Sequence, residues 1–221
     1  MPLPPDSLTT GRLVLRRLTM ADAPVLAVSV AASLERLLPW MPWAAREPVT
    51  IEQRCDRLST WQRLWDEGSE FHYGAFIGDA HLATVGVHRR GAADTLEIGY
   101  WAHVDHTGHG YVTEAVAALT TVALAQPDVD RVEICHDRAN LASGAVPHRL
   151  GFSLARDEPR RLVASSESGI TRCWEMRRRD WPAAQAALET RLPTAAEAGR
   201  AAELACTTIP SDPTPCSTTS D

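Results

Sequence analysis

The residues best suited to chemistry lie in one stretch of the chain, between Leu96 and Thr120. Residues 96–101 alternate and are rich in β-branched and aromatic types, which predicts a strand. Apolar residues recur at helical spacing after Gly110, which predicts a helix. The first turn of a helix has unpaired N–H groups and a positive dipole end, so a glycine loop at this junction predicts an anion site.

Three kinds of phosphate-binding loop are compatible with such a junction, and the residue types distinguish them. A Walker loop requires a lysine, and this chain has none, because all its Lys and Arg positions are arginine. A dinucleotide fingerprint requires a third glycine, at the position where Thr113 stands. What remains is Gly-x-Gly-Tyr-x-Thr-Glu-Ala, starting at Gly108, after a Gly-Tyr-Trp strand. This pattern resembles the acetyl-CoA pyrophosphate loop of the GCN5-related N-acetyltransferase (GNAT) superfamily, and more narrowly its RimJ/RimL-type (ribosomal-protein N-terminal acetyltransferase) branch.

Other segments extend the resemblance in the order expected for that branch. A Pro-Trp-x-Pro-Trp segment begins at Pro39, an Asn-x-x-Ser signature begins at Asn140, and Arg-Leu-Gly-Phe begins at Arg149. Asp180 and Trp181 stand in the place of the closing acidic-Trp pair. The resemblance therefore spans about residues 10–182.

The resemblance implies the GNAT fold. This is an α/β (α+β) domain whose mixed, mostly antiparallel central sheet is splayed between its fourth and fifth strands and flanked by helices. We expect the splay between the Leu96 and Arg131 strands, with CoA entering the gap. The expected organisation is an N-terminal extension over residues 1–10, the acetyltransferase domain over residues 11–182 and a largely disordered C-terminal extension over residues 183–221, where Ala, Thr, Ser and Pro predominate.

Glu97 is the predicted general base. Strand alternation puts it on the same face as Gly99 and Trp101. An amine arrives protonated and must lose a proton before it attacks a thioester, and partial burial raises the pKa of a carboxylate toward the working range. The alternative is an exposed strand glutamate paired with an arginine.

The resemblance assigns the other site residues. The backbone around Gly108, His109, Gly110, Tyr111 and Val112 would hold the pyrophosphate, and residues Trp101, Ala102, His103 and Val104 would pair with pantetheine and polarise the thioester. Asn140, Ser143 and Arg149 would contact CoA, with Ser143 protonating the leaving thiolate. Trp40, Trp43, Tyr73 and Glu97 would bind the acceptor. Local chemistry leaves alternatives open, because Asn140 and Ser143 also suit a helix cap and the tryptophans also suit a core.

Four residues depart from the family pattern. Asp105 and His109 stand where positive or amide side chains are frequent, so we expect CoA binding to depend on the helix terminus, helped by protonated His106 or His109. Gly144 and Pro147 both weaken a helix and predict that Ser143 is displaced. The loop position of the nearby histidines disfavours a metal site, and we expect no metal.

Composition limits the remaining choices. The chain has 221 residues and a net charge of −6, which suits one domain with extensions and disfavours nucleic-acid binding. It has no apolar run long enough for a membrane span, so we expect a soluble cytoplasmic protein without membrane contacts. The odd number of five scattered cysteines predicts reduced thiols.

The predicted reaction is direct acetyl transfer from acetyl-CoA to a primary amine, with no acyl-enzyme intermediate. The acceptor is the α-amino group of a protein N-terminus or that of a small amine such as an aminoacyl compound or antibiotic. The alternative function is a non-catalytic acyl-CoA-binding sensor. Dimers are frequent in the branch, so a homodimer is a further expectation from the resemblance.

Overall fold

The computed structural model describes residues 3–189. Its eight strands are β1 (Ser7–Thr9), β2 (Val14–Arg17), β3 (Glu70–Ile77), β4 (Ala80–His88), β5 (Thr95–Ala102), β6 (Arg131–Asp137), β7 (Ser153–Pro159) and β8 (Ile170–Arg177). Its α-helices are α1 (Ala23–Leu37), α2 (Ile51–Asp66), α3 (Tyr111–Leu124), α4 (Leu141–Arg149) and α5 (Trp181–Glu189). Short 3-10 helices cover Met20–Asp22, Pro42–Arg46 and Val104–His106.

The strands form one sheet in the order β1-β2-β3-β4-β5-β6-β8-β7. Every neighbouring pair is antiparallel except β5 and β6, which run parallel. That parallel pairing covers only Thr95, Leu96 and Glu97 of β5, after which the two strands diverge. The predicted mixed sheet and its splay are confirmed. Residues 7–9, in the segment expected to be an extension, pair with β2, so the splayed strands are the fifth and sixth of the chain.

The start of α2 is fixed by a motif of residues close together in the sequence. Thr50 Oγ1 accepts a hydrogen bond from the Gln53 backbone N–H at 3.2 Å, and Gln53 Oε1 accepts from the Thr50 N–H at 2.9 Å. This capping box satisfies two N–H groups that a helix start leaves unpaired. Within residues 3–189, no helix has the length and apolarity needed to cross a membrane.

The two faces of the sheet are covered by different helices. Val85 and Ile98 pack in the same core cluster as Leu119 of α3. The alternate face of β4 and β5, which includes Trp101, packs against side chains of α1 and α2 such as Leu26 and Leu58. The face predicted for Glu97, Gly99 and Trp101 is therefore the face toward α1 and α2.

Cys135 and Cys173 form a disulfide, so the expectation that all five cysteines are reduced was wrong for this pair. The two residues are direct partners in the antiparallel β6–β8 register, and their Cα atoms are 4.1 Å apart. They are 38 positions apart in sequence, so the spacing of the cysteines alone does not indicate that they pair. Cys55 is a free thiol, and Cys206 and Cys216 lie outside the described residues.

The chain beyond the predicted boundary at residue 182 continues as α5. Leu188 in this helix is buried in the main core together with Trp181. The expected disordered tail otherwise lies outside the described residues, which end at 189.

Candidate active site

The glycine loop has the geometry of an anion site. Gly108 and Gly110 have φ angles of +81° and +79°, a region that residues with a Cβ rarely adopt. Gly110 is the N-cap of α3, so the loop leads directly into the first turn of the helix. The unpaired N–H groups of that turn are available to an anion.

Arg12 adds a cation to this loop, and sequence reasoning missed it. Its Nη1 donates to the carbonyl of His109 at 3.0 Å, and its guanidinium lies 4.6 Å from the centre of the Tyr111 ring. Its Nε pairs with Glu114 of α3 at 2.6 Å. Arg12 precedes β2, so only the folded sheet brings it to the loop, and no local pattern signals the contact.

One histidine of the loop, His106, is less suited to carry positive charge than the sequence suggests. Burial and the nearby His103 lower the pKa of His106 below its ordinary value. The His109 ring stacks on Tyr111 at 5.6 Å between centroids.

The edge of β5 beyond Glu97 faces the splay. On its other side, β5 stays paired with β4 through Ala102. Two N–H groups of the predicted pantetheine strand are already occupied, because His103 N donates to the Leu82 carbonyl and Val104 N donates to Ser33 Oγ, at 2.8 and 3.0 Å. Polarisation of a thioester by Val104 therefore requires Ser33 to release its bond.

A cleft of about 560 Å³ opens at the splay, between the sheet and the α1–α2 side. It brings together five residues that the sequence assigns to the site: Trp40, Trp43, Trp101, Asn140 and Ser143. Cys135 lines the same cleft, but its sulfur is bonded to Cys173 and is not a free nucleophile.

The start of α4 holds Ser143 against β5. Asn140 Oδ1 caps the helix by accepting from the Ser143 N–H at 3.1 Å. The Tyr100 hydroxyl donates to the Ser143 carbonyl at 2.7 Å, and Ser143 Oγ is 3.4 Å from the same hydroxyl. Arg149, at the far end of this short helix, is exposed and does not line the cleft.

Glu97 lies on the cleft face of the sheet but at the margin of the cleft. Its side chain is 28% exposed and lies 3.6 Å from Arg90, a residue that lines the cleft. Burial raises the pKa of Glu97 above its ordinary value, and the charge of Arg90 opposes this effect. The alternative interpretation, a strand glutamate paired with an arginine, is therefore also supported, because the ion pair with Arg90 is present in the structure.

Two histidines, His72 and His88, form the cleft floor beside Glu97 and contact the carboxylate of Glu70, and the sequence analysis did not single out these three residues. Glu70 Oε2 lies 3.0 Å from His72 Nε2 and 3.2 Å from His88 Nδ1. The hydrogen bond from His72 lowers the pKa of Glu70 to about 2, whereas burial lowers the pKa of His88 to about 4. The three side chains have ligand atoms within 4.8 Å of one another, which also suits a divalent ion.

The sequence feature that could have indicated this site is a pair of glycines on neighbouring strands. A Cβ on Gly86 would lie 2.7 Å from His88 Nε2, and a Cβ on Gly99 would lie 3.9 Å from the same atom. Gly86 and Gly99 are direct partners across β4 and β5. Together they make room for an imidazole lying on the sheet.

The structure does not support the predicted acceptor-binding role of Tyr73. Its side chain is fully buried, packs on Trp65, and donates its hydroxyl to the Pro5 carbonyl at 2.7 Å. Strand alternation explains the difference, because the adjacent His72 points into the cleft and Tyr73 therefore points away from it.

Comparison with known proteins identifies the family of the chain. The family model described as the Acetyltransferase (GNAT) domain matches residues 12–153. The [Ribosomal protein uS5]-alanine N-acetyltransferase of Escherichia coli (strain K12) is 30% identical over 163 residues, which cover 68% of this chain and 79% of that protein.

Solved structures show the same fold. RimL, the ribosomal L7/L12 alpha-N-protein acetyltransferase in complex with coenzyme A, superposes with a TM-score of 0.71 at 19% identity, covering 77% of this chain and 96% of that one. RimJ of Mycobacterium smegmatis, in complex with CoA-disulfide, has a TM-score of 0.70 at 20% identity, covering 90% of this chain and 95% of that one. The chain therefore belongs to the GNAT acetyltransferase family and is an N-acetyltransferase.

Proposed function

We propose that this enzyme transfers an acetyl group from acetyl-CoA directly to a primary α-amine, at a protein N-terminus or on a small aminoacyl compound. The observation that supports this most strongly is the glycine loop and α3 N-terminus at one end of a splay that opens into the cleft. The Escherichia coli relative is named for the alanine of ribosomal protein uS5, which favours a protein N-terminus as acceptor.

In this proposal, the N–H groups from Gly108 to Val112 bind the pyrophosphate, and Arg12 orients the loop. The open edge of β5 from Trp101 onward pairs with pantetheine. Asn140 and Ser143 lie near the sulfur, where the Ser143 hydroxyl protonates the leaving thiolate. The acceptor enters between Trp40 and Trp43.

Glu97 is the proposed base, acting directly or through a water molecule. Burial raises the pKa of Glu97 above its ordinary value, which makes the carboxylate a better proton acceptor, and Glu97 lies on the cleft face of the sheet. The ion pair with Arg90 must open or be bridged for this role. His88, its direct partner on β4, lines the cleft and is an alternative base, because its imidazole is neutral at neutral pH.

The test is mass spectrometry of acetyl-CoA reactions with short peptides and small amines. We expect acetylation at the α-amine in the wild type, and a Glu97→Gln variant that binds CoA normally but loses about 100-fold or more in kcat. CoA binding with no transfer to any amine would contradict the proposed function.

The matched variant His88→Gln identifies the base. If Glu97 is the base, its replacement removes the acidic limb of the pH profile of kcat/KM, where activity rises as the base loses its proton, whereas His88→Gln keeps that limb. Retained activity in Glu97→Gln with loss in His88→Gln would transfer the role to His88.

A further inference from the structure

We propose that the acceptor has an anionic group, a carboxylate or a phosphate, close to its amine, and that Arg46 and Arg57 bind this group. The inference rests on the proposed function and specifies the acceptor of the same site. It concerns the α2 wall, by which we mean Arg46, Arg54 and Arg57 together with Trp43.

The α2 wall has more cations than anions. Its three arginines all line the cleft, and one carboxylate, Glu47, serves them. Glu47 pairs with Arg54 at 2.8 Å, and the two side chains are only 4% and 6% exposed. This buried pair leaves the charges of Arg46 and Arg57 unmatched.

Neither remaining arginine has a carboxylate within salt-bridge distance among residues 3–189. Arg57 is partly buried, with its guanidinium 6.0 Å from the centre of the Trp43 ring. Burial lowers the pKa of Arg57, as do the charges of Arg54 and Arg46, against the opposing effect of Glu47. Three guanidinium groups thus lie close enough to repel one another, and an anion between them would relieve that repulsion.

The other charges of the cleft do not compensate this wall. Arg90 lies between Glu70 and Glu97, at 3.6 Å from each, so its own charge is matched there. Glu167, which also lines the cleft, accepts from the backbone N–H groups of Val163 and Ala164. Asp137 likewise accepts from the N–H groups of Ala139 and Ser168.

The wall is near the reaction path. The Trp43 ring, which lies next to Arg57, is 6.1 Å from the Trp101 ring of β5. An amine placed at the β5 edge would thus lie within about 12 Å of an anion held at the wall, a distance that three or four extended residues span and that the long arginine side chains shorten. Arginine suits this task because its planar fork of donors matches the oxygens of a carboxylate or a phosphate.

The experiment compares acceptors that differ in one charge. One arm uses short peptides beginning Ala-Asp or Ala-Asn, and the other uses phosphoethanolamine or ethanolamine. We expect kcat/KM to be about tenfold or more higher for the anionic member of at least one pair, and the arm with the larger ratio identifies the source of the anion.

Variants connect the preference to the wall. Arg57→Gln and Arg46→Gln should lower the anionic-to-neutral ratio toward one, with the KM for acetyl-CoA unchanged. Arg63→Gln is the matched control, because Arg63 lies on the same helix as Arg57 but is exposed and pairs with Glu67 at the surface. In this variant the anionic-to-neutral ratio should equal that of the wild type.

Equal kcat/KM within both pairs, with transfer still observed, would overturn this inference and leave the proposed function standing. A preference that survives in both Arg57→Gln and Arg46→Gln would also overturn it. Absence of transfer to every amine would overturn the proposed function, and this inference with it.

Discussion

The hydroxyl of Tyr100 donates a hydrogen bond to the carbonyl of Ser143, which is the carbonyl that Pro147 leaves without a helical partner. In an α-helix this carbonyl accepts from the N–H four residues later, and proline has no N–H. A strand side chain thus replaces the missing helical donor. The proline expected to displace Ser143 is accommodated, and Ser143 is tied to β5 beside the cleft.

We predict that Tyr100→Phe destabilises the fold by about 1–3 kcal/mol, because it removes the donor of a partly buried carbonyl. The loss should be smaller in a Pro147→Ala background, where residue 147 again supplies an N–H. Urea unfolding of the two single variants, the double variant and the wild type measures this coupling. An equal cost of Tyr100→Phe in both backgrounds would contradict the assignment.

Arg12 should contribute to CoA binding. We expect Arg12→Gln to weaken CoA affinity by about tenfold, since it removes the cation that bonds the His109 carbonyl and fixes the loop. Isothermal titration with CoA measures the effect. Arg63→Gln, on the exposed side of α2, should bind CoA like the wild type.

The contrast between the glycine loop and Arg12 shows which features the sequence predicts. The Thr50 cap and the left-handed glycines of the loop involve partners within a few residues, so their patterns are local. Arg12 meets Glu114 across 102 positions, and Cys135 meets Cys173 across 38. Such contacts are created by strand register, which a single sequence does not specify.

The alternation of side chains along a strand explains the wrong assignment of Tyr73. Alternation separates His72 from Tyr73, but it does not say which of the two faces will be covered by α1 and α2. The assignment of Tyr73 to the acceptor site comes from the resemblance alone, and the structure turns its side chain away from the cleft. For β5, alternation places Glu97, Gly99 and Trp101 on one face, and that face lies toward α1 and α2.

His81 should make the fold sensitive to acid. It is buried, its ring nitrogens lie 3.0 Å from Ser29 Oγ and Thr84 Oγ1, and burial lowers its pKa from 6.5 to about 4. Between these two values the unfolded chain binds a proton that the folded chain does not, so stability falls as pH drops from 6.5 to 4 and is constant above that range.

The expected contribution of His81 to this loss is on the order of 2–3 kcal/mol. The measurement is urea unfolding at several pH values, for the wild type and for His81→Gln. The variant should differ from the wild type by a constant amount above pH 7 and should lose less stability below pH 6. Parallel curves for the two proteins over the whole range would contradict the prediction.

At Gly144 we predict that alanine destabilises the protein, although alanine usually stabilises a helix relative to glycine. Replacing glycine by alanine inside a helix usually stabilises it by about 1 kcal/mol. Here a Cβ would lie 2.7 Å from Cε1 of His136, and that ring is fixed from both sides. Its Nδ1 donates to the Asp137 carbonyl at 2.7 Å, and its Nε2 accepts from the Trp174 indole at 3.0 Å.

Gly144→Ala should therefore destabilise the protein by about 1–3 kcal/mol, because either the helix or the imidazole must move. In a His136→Ala background the obstacle is gone, and the same substitution should become stabilising. Thermal unfolding of the four proteins measures both signs. A stabilising Gly144→Ala in the wild type would contradict the prediction and show that the His136 ring moves at little cost. A substitution that destabilises the wild type but stabilises the His136→Ala background would establish that a strand side chain, and not the helix itself, requires this glycine.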